Sequence, residues 1–213
     1  MKRLRIALTK GRLQKDSVAL FERMGLNCSA LQKAGRKLVH RIPDYPLDIV
    51  LAKAPDVITY VEHGACDLGI VGKDTIMEQG GSFYEVLDLG FGRCRFALAV
   101  REGDDFYGSF KTLTVATKYP NVARSFFQRK GMDVEVIRIE GSVELAPLLG
   151  LADGIVDIVE TGETLRENGL RPIEDIRSVS ARLIVNTASM KLYKPEISDF
   201  ITRCEAELNQ EAP

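Results

Sequence analysis

The sequence predicts an α/β fold with mostly parallel sheets. Three observations carry the prediction. Short apolar runs of strand length alternate with segments whose apolar residues recur at helical spacing. Glycines stand where the helical patterns stop. The 213 residues suit one large or two small domains at about 150 residues each, and the most loop-like stretches, Gly80-Gly81 and Gly103-Asp104-Asp105, put a boundary near residue 90.

The elements follow in order. Leu4 to Thr9 reads as a strand that ends in a Lys10-Gly11-Arg12 turn. Leu13, Ser17, Leu20, Phe21 and Met24 mark a helix stopped by Gly25. Asp48 to Ala52 is a strand, and Pro55 opens a helix with Val57, Ile58 and Val61 on one face, ended by Gly64. Asp67 to Gly72 is a buried strand followed by a short helix from Lys73. Gly92 to Val100 and Leu113 to Ala116 are strands. Tyr119, Val122, Ala123, Phe126 and Phe127 form a helical face that Gly131 stops. Then come a strand Val134 to Ile139, a helix Val143 to Leu149, a strand Ile155 to Val159 and a helix Thr161 to Asn168. Ile173 to Ile176 and Arg182 to Val185 are strands, and Pro195 to Leu208 is a last helix. No repeat of fixed period and no low-complexity segment is visible.

Composition narrows the function. Lys plus Arg number 29 and Asp plus Glu 30, a net charge of -1. A broad nucleic-acid binder would carry a cationic excess, so no nucleic-acid partner is expected. No apolar run approaches a membrane span, and Arg5 and Lys10 interrupt what a signal peptide would need, so a cytoplasmic protein without a membrane partner is expected. The four cysteines are scattered and form no metal-ligand pair. With only His40 and His63, chemistry falls to carboxylates, backbone amides and cations.

The strongest constellation is Asp153-Gly154-Ile155-Val156-Asp157-Ile158-Val159-Glu160-Thr161-Gly162-Glu163-Thr164. A buried strand runs into a Thr-Gly-x-Thr turn where a helix begins. Free N–H groups at such a terminus suit a phosphate, and Gly162 lets the backbone come close. Asp157 and Glu160 beside it could hold ribose hydroxyls or Mg²⁺. The plainer alternative is that Thr161 and Thr164 are ordinary caps and the acids are solvated. Lys10-Gly11-Arg12 is a cationic glycine turn after a strand, where α/β folds bind ligands, or equally a solvated basic turn. Gly69-x-x-Gly72 alone says no more than a tight turn. An inward Arg95 must be paired or face a cleft, unless it reaches outward to solvent. Cys94 reads as a small core residue.

These residues resemble the ATP phosphoribosyltransferases of histidine biosynthesis. The family's signature is met by Glu144, Gly150, Ala152, Ile155, Asp157, Ile158, Thr161, Gly162, Thr164 and Leu165. Lys10-Gly11-Arg12, Asp67-x-Gly69-Ile70-x-Gly72-x-Asp74 and Gly92-x-Cys94-Arg95 match in order. The similarity runs from about Leu4 to the last helix and resembles the short form, a catalytic subunit that works with a histidyl-tRNA-synthetase-like regulatory subunit in a hetero-oligomer. The resemblance implies two α/β domains of the periplasmic-binding-protein type II plan, with the active site in the interdomain cleft. Residues 1–90 with 180–213 would form a nucleotide-side domain, and 91–179 one for phosphoribosyl pyrophosphate.

The implied reaction is Mg²⁺-dependent attack of adenine N1 of ATP on the ribose C1, with loss of pyrophosphate. The resemblance assigns Glu140, Asp153 and Asp157 to the ribose and metal side, with Asp157 as the Mg²⁺ ligand. It assigns Asp157, Glu160, Thr161, Gly162, Glu163 and Thr164 to phosphoribosyl pyrophosphate. Lys10, Gly11, Arg12, Lys53, Asp67, Gly69, Gly72 and Arg95 are the candidates for ATP, with Lys10, Arg12, Lys53 and Arg95 on the ATP phosphates or the pyrophosphate. Two rivals stay open: a purine-salvage-type phosphoribosyltransferase and a non-enzymatic binding module on the same two-domain plan.

Overall fold

A computed structural model describes residues 2–32, 37–108 and 111–210. The described residues form eleven strands and nine helices. In chain order these are β1 (Leu4–Thr9), α1 (Arg12–Arg23), α2 (Ser29–Gln32), β2 (Val39–Arg41), β3 (Leu47–Ala52), α3 (Ala54–Glu62), β4 (Leu68–Gly72), α4 (Lys73–Gln79), β5 (Phe83–Asp88), β6 (Cys94–Arg101), β7 (Leu113–Thr117), α5 (Pro120–Arg129), β8 (Val134–Arg138), α6 (Leu145–Leu148), β9 (Gly154–Val159), α7 (Glu163–Glu167), β10 (Leu170–Val179), β11 (Ala181–Asn186), α8 (Thr187–Leu192) and α9 (Lys194–Gln210). The chain divides into two compact units, residues 1–92 with 180–213, and residues 93–179.

The first unit holds a sheet of order β2-β3-β1-β4-β11-β5. β3, β1 and β4 run parallel, while β11 is antiparallel to both β4 and β5. Parallel strands are covered on both faces, so their residues alternate between two cores rather than between core and water. Leu4, Ile6 and Leu8 enter one core with Phe21 of α1 and Phe200 of α9. Those two rings meet edge to face at 5.7 Å. Ala7 enters the other with Val57, Ile58 and Val61 of α3.

The second unit holds a sheet of order β10-β6-β9-β7-β8. β8, β7 and β9 are parallel, and β6 is antiparallel to β9 and β10. The plan of the first unit is thereby repeated: β3-β1-β4-β11-β5 corresponds strand for strand, and direction for direction, to β8-β7-β9-β6-β10. The repeat lies in topology, not in a sequence period, which is why the sequence shows none.

Four elements lie outside the sequence expectation. β5 has an exposed face and no clean alternation, β2 is three residues long, and α2 and α8 are short. β10 runs six residues beyond its expected core, through Pro172, which an edge strand tolerates. Conversely, the helix expected over Thr161 to Asn168 begins at Glu163, because Gly162 takes the left-handed conformation, with φ 76° and ψ 9°.

Candidate active site

In an open α/β sheet the loops after the parallel strands gather at the carboxyl edge, and ligands bind there. In the first unit β3, β1 and β4 end side by side at Ala52, Thr9 and Gly72. The next residues are Lys53, Lys10 and Lys73. Each strand leads almost directly into a helix, and the caps of α3, α1 and α4 (Lys53, Gly11 and Gly72) make no side-chain capping bond. Three sets of first-turn N–H groups and three lysines thus share one edge, a strongly anion-ready arrangement. The Thr9 hydroxyl donates to the Ile70 carbonyl at 3.0 Å and ties β1 to β4 there. Gly11 needs its lack of a side chain, with φ 97°. Arg12 lies 4.0 Å from Asp16, and Lys73 is paired with Glu85.

The same edge in the second unit is set by Thr117, Arg138 and Val159, where β7, β8 and β9 end. It carries Lys118, Glu140 and the Glu160–Thr164 loop. The Thr161 hydroxyl accepts from the Glu163 N–H at 3.3 Å, and the Thr161 carbonyl accepts from Arg166 Nη1 at 3.3 Å. These contacts and the left-handed Gly162 hold the turn open at the start of α7. Arg95 pairs in register with Val159, so it stands beside this loop, and its Nε donates to Asp175 Oδ1 at 2.6 Å. Glu140 is exposed and bonded to Arg138 at 2.6 Å.

Asp157 lies two residues inside the end of β9 and is half-buried. Burial pushes its carboxyl up to about 6, and the negative charge of Glu144 adds to that; a backbone hydrogen bond at Ile158 and the positive charge of Lys118 pull the other way. Raised carboxyls in sheltered positions mark functional sites. Among the described residues no three His, Cys, Asp or Glu side chains gather into a metal cage. One sheltered carboxylate nevertheless fits Mg²⁺, which takes one or two protein carboxylates and completes its shell with substrate phosphates and water.

Three expected site residues are not brought to these edges. Asp67 precedes β4, at the amino edge. It is buried and accepts from Lys2 Nζ, the Arg5 N–H and the Ser189 hydroxyl, each at 2.8 Å. These bonds tie it to the chain start and to α8. Gly69 lies mid-strand, where a Cβ would sit 2.8 Å from Val61 and 2.9 Å from Val57. It is glycine so that α3 can pack on β4. Asp153 precedes β9 at the opposite edge from Thr161, and six residues of strand separate those edges by roughly 20 Å. It accepts from Lys111 Nζ at 2.6 Å and the Thr114 N–H at 2.9 Å. Burial would raise its carboxyl, but these two donors outweigh burial and hold it below its usual range. His40 is buried, with its Nε2 3.0 Å from the Lys37 carbonyl oxygen, on the edge strand β2.

Lys118 and Lys73 are edge cations that the sequence reading did not single out. The readable signal for Lys118 is its place between an apolar strand and Pro120, a first-turn proline.

Comparisons place this architecture among known proteins. The sequence profile described as HisG, ATP phosphoribosyltransferase, matches residues 53–206. An ATP phosphoribosyltransferase of Clostridium kluyveri is 57% identical over 209 residues, 98% of this chain and 95% of that one. One of Clostridium acetobutylicum is 57% identical over 211 residues, 99% and 98% of the two chains. Among solved structures, the HisG:HisZ ATP phosphoribosyl transferase complex from Thermotoga maritima contains a chain that superposes with a TM-score of 0.82 at 28% identity, covering 98% of this chain and all of that one. The periplasmic aliphatic sulphonate binding protein SsuA of Escherichia coli superposes with a TM-score of 0.61 at 14% identity, covering 98% and 73%, a likeness of fold alone. That likeness identifies the type II periplasmic-binding-protein plan in the two mixed sheets. Near-full-length identity above one half, the matching profile, and a carboxyl edge bearing Asp157 and the Thr161-Gly162-x-Thr164 turn lead to one conclusion: the chain belongs to the ATP phosphoribosyltransferase family.

Proposed function

We propose that this chain catalyses the first step of histidine biosynthesis, transfer of phosphoribosyl from phosphoribosyl pyrophosphate to N1 of the adenine of ATP, with release of pyrophosphate. Beyond family membership, the observation that carries the site assignment is the half-buried Asp157 next to the open Gly162 turn at the carboxyl edge of β9. The second unit takes phosphoribosyl pyrophosphate, with the N–H groups of the Glu160–Thr164 loop around the 5-phosphate. The first unit takes ATP at the edge formed by Lys10, Gly11, Arg12, Lys53 and Gly72.

The chemistry asks little proton transfer of the protein. Adenine N1 already has a lone pair, so no strong base is needed, in keeping with a histidine-poor chain. As the bond to pyrophosphate lengthens, positive charge grows on the ribose, and an ionised carboxylate stabilises it. Asp157, with its carboxyl near 6, is ionised at neutral pH. Glu160, and Glu140 at the end of β8, line the ribose side. Holding two polyanions in line supplies much of the acceleration. The family's reaction uses a metal ion. We assign it as Mg²⁺, which Asp157 and the substrate phosphates would hold and which, when bound, would supply charge neutralisation for the pyrophosphate group. A histidyl-tRNA-synthetase-like regulatory subunit completes a hetero-oligomer, in line with the HisG:HisZ assembly of the Thermotoga relative. The setting is the cytoplasm, where both substrates are made; no helix among the described residues is long and apolar enough to cross a membrane.

The test is direct. The purified chain, alone and with the regulatory subunit, is mixed with ATP, phosphoribosyl pyrophosphate and Mg²⁺, and the ultraviolet absorbance of N1-substituted adenine is followed. Product that requires both substrates is expected. A folded chain that stays silent with the regulatory subunit present overturns the assignment.

A further inference from the structure

The two units repeat more than a strand order. In each, the central parallel strand ends in Thr-Lys: Thr9-Lys10 after β1 and Thr117-Lys118 after β7. In each, the threonine hydroxyl donates to a carbonyl of the next parallel strand. Thr9 reaches Ile70 of β4 at 3.0 Å, and Thr117 reaches Val156 of β9 at 2.6 Å. In each, a helix follows within three residues, without a side-chain cap.

Around Lys118 the turn is built rigidly. Thr117 is fully buried, and its hydroxyl also accepts from the Tyr119 N–H at 2.9 Å. The Tyr119 ring packs edge-on against the fully buried Phe96 at 5.0 Å. Pro120 starts α5, which is anchored by Val122, Ala123, Phe126 and Phe127. Lys118 itself remains exposed on this fixed turn. Its register places it next to the last residues of β9, because Thr117 pairs with Val156. Asp157 feels its charge.

The carboxyl-edge cations then sort into two groups. Arg12, Lys73, Arg95 and Arg138 each have a carboxylate within 4.0 Å. Among the described residues Lys10, Lys53 and Lys118 have none. A cation without a carboxylate partner on a rigid turn has no ion pair to break when a polyanion arrives.

We propose that Lys118 is a ligand of phosphoribosyl pyrophosphate, its ammonium taking a phosphoryl oxygen next to Asp157, and that Thr117 is the residue that positions it. This rests on the assignment of the second unit to phosphoribosyl pyrophosphate. Lys118 is thus the counterpart, in that unit, of Lys10 in the first.

The experiment compares Lys118→Gln, Lys118→Arg, Thr117→Val and Thr117→Ser in the chain assembled with its regulatory subunit, with Gly162→Val as the marker of the phosphate turn. Lys118→Gln should raise KM for phosphoribosyl pyrophosphate on the order of tenfold, the loss of one charged hydrogen bond. KM for ATP should stay unchanged, and Lys118→Arg should recover most of the loss. Thr117→Val should move the same constant in the same direction, with Thr117→Ser restoring it. Calorimetric titration with inorganic pyrophosphate and with ribose 5-phosphate then identifies the oxygen. Weakening of either by Lys118→Gln supports the proposal and names the phosphoryl group; weakening of neither overturns it. If Gly162→Val raises KM for phosphoribosyl pyrophosphate and Lys118→Gln does not, Lys118 alone is refuted. If neither variant moves it, the assignment of this edge falls and Lys118 falls with it. Equal effects on both substrates also refute the proposal.

Discussion

A half-buried carboxylate is held against its own preference at Asp157. In the fold it takes up its proton at about 6, against 3.8 in an unfolded chain. Between those values the folded state holds the extra proton, so stability falls as pH rises from about 4 to about 6. Asp157→Asn removes that loss. In metal-free buffer at pH 7 to 8 it should raise stability by about 1 kcal/mol, while phosphoribosyl transfer collapses; thermal melts across pH, paired with turnover, check both. A variant no more stable than the parent at pH 8, relative to pH 4, would contradict the burial argument. Asp157 was readable because an acid inside an apolar run, next to Thr-Gly-x-Thr, has no place in a plain core strand. Asp153 and Asp67 lie away from the carboxyl edge for one shared geometric reason. Each motif spans a strand, and a strand delivers its two ends to opposite edges of the sheet, a distance that letters in a row conceal. Lys118 gives no signal of its own in the sequence, because one lysine looks like another until the hydroxyl of Thr117 is seen to pin its turn.

At the scale of elements, the packing of α3 on β4 depends on Gly69. A methyl group there would meet Val57 and Val61 inside ordinary contact distance, with Ile184 of β11 at 3.2 Å behind it. Gly69→Ala should therefore destabilise by about 1–3 kcal/mol, as over-packed cores do. Denaturant melts would show it, and KM values for both substrates should stay near those of the parent in the folded fraction. A shift in KM for ATP without loss of stability would return Gly69 to the site. The elements legible in the sequence were those with a strong physical period. β1, β4, β7 and β9 are apolar runs buried on both faces, and α1, α5 and α9 carry clear stripes. β5 and β10 were hidden or foreshortened because an edge strand with solvent on one side shows only a weak pattern. The insertion of β11 between β4 and β5 left no trace in periodicity, since pairing partners that lie more than ninety residues apart share no local signal.

For the molecule as a whole, the near-neutral total hides a division of labour. The net charge is -1, yet Lys10, Lys53 and Lys118 stand without carboxylate partners, among the described residues, at the edges assigned to two polyanionic substrates. Such cations act at a distance through water and are screened by salt. Raising monovalent salt from about 20 to about 300 mM should lower kcat/KM for both substrates several-fold and change kcat much less. Initial rates in a salt series at fixed Mg²⁺ test this, and a flat kcat/KM would mean that these lysines do not meet the substrates.

The placement of β11 also governs how this chain comes into being. Among the described residues β5 has β11 as its only neighbour in the sheet, and 92 residues lie between Asp88 and Ala181. At ordinary translation speed the ribosome needs roughly 5–20 s to make them. During that interval the native partner of β5 does not yet exist, while the residues of all five strands of the second unit are made. The first unit is therefore completed after the second has been made: its sheet closes only when β11 enters between two strands made long before, and α9 then brings Phe200 onto Phe21.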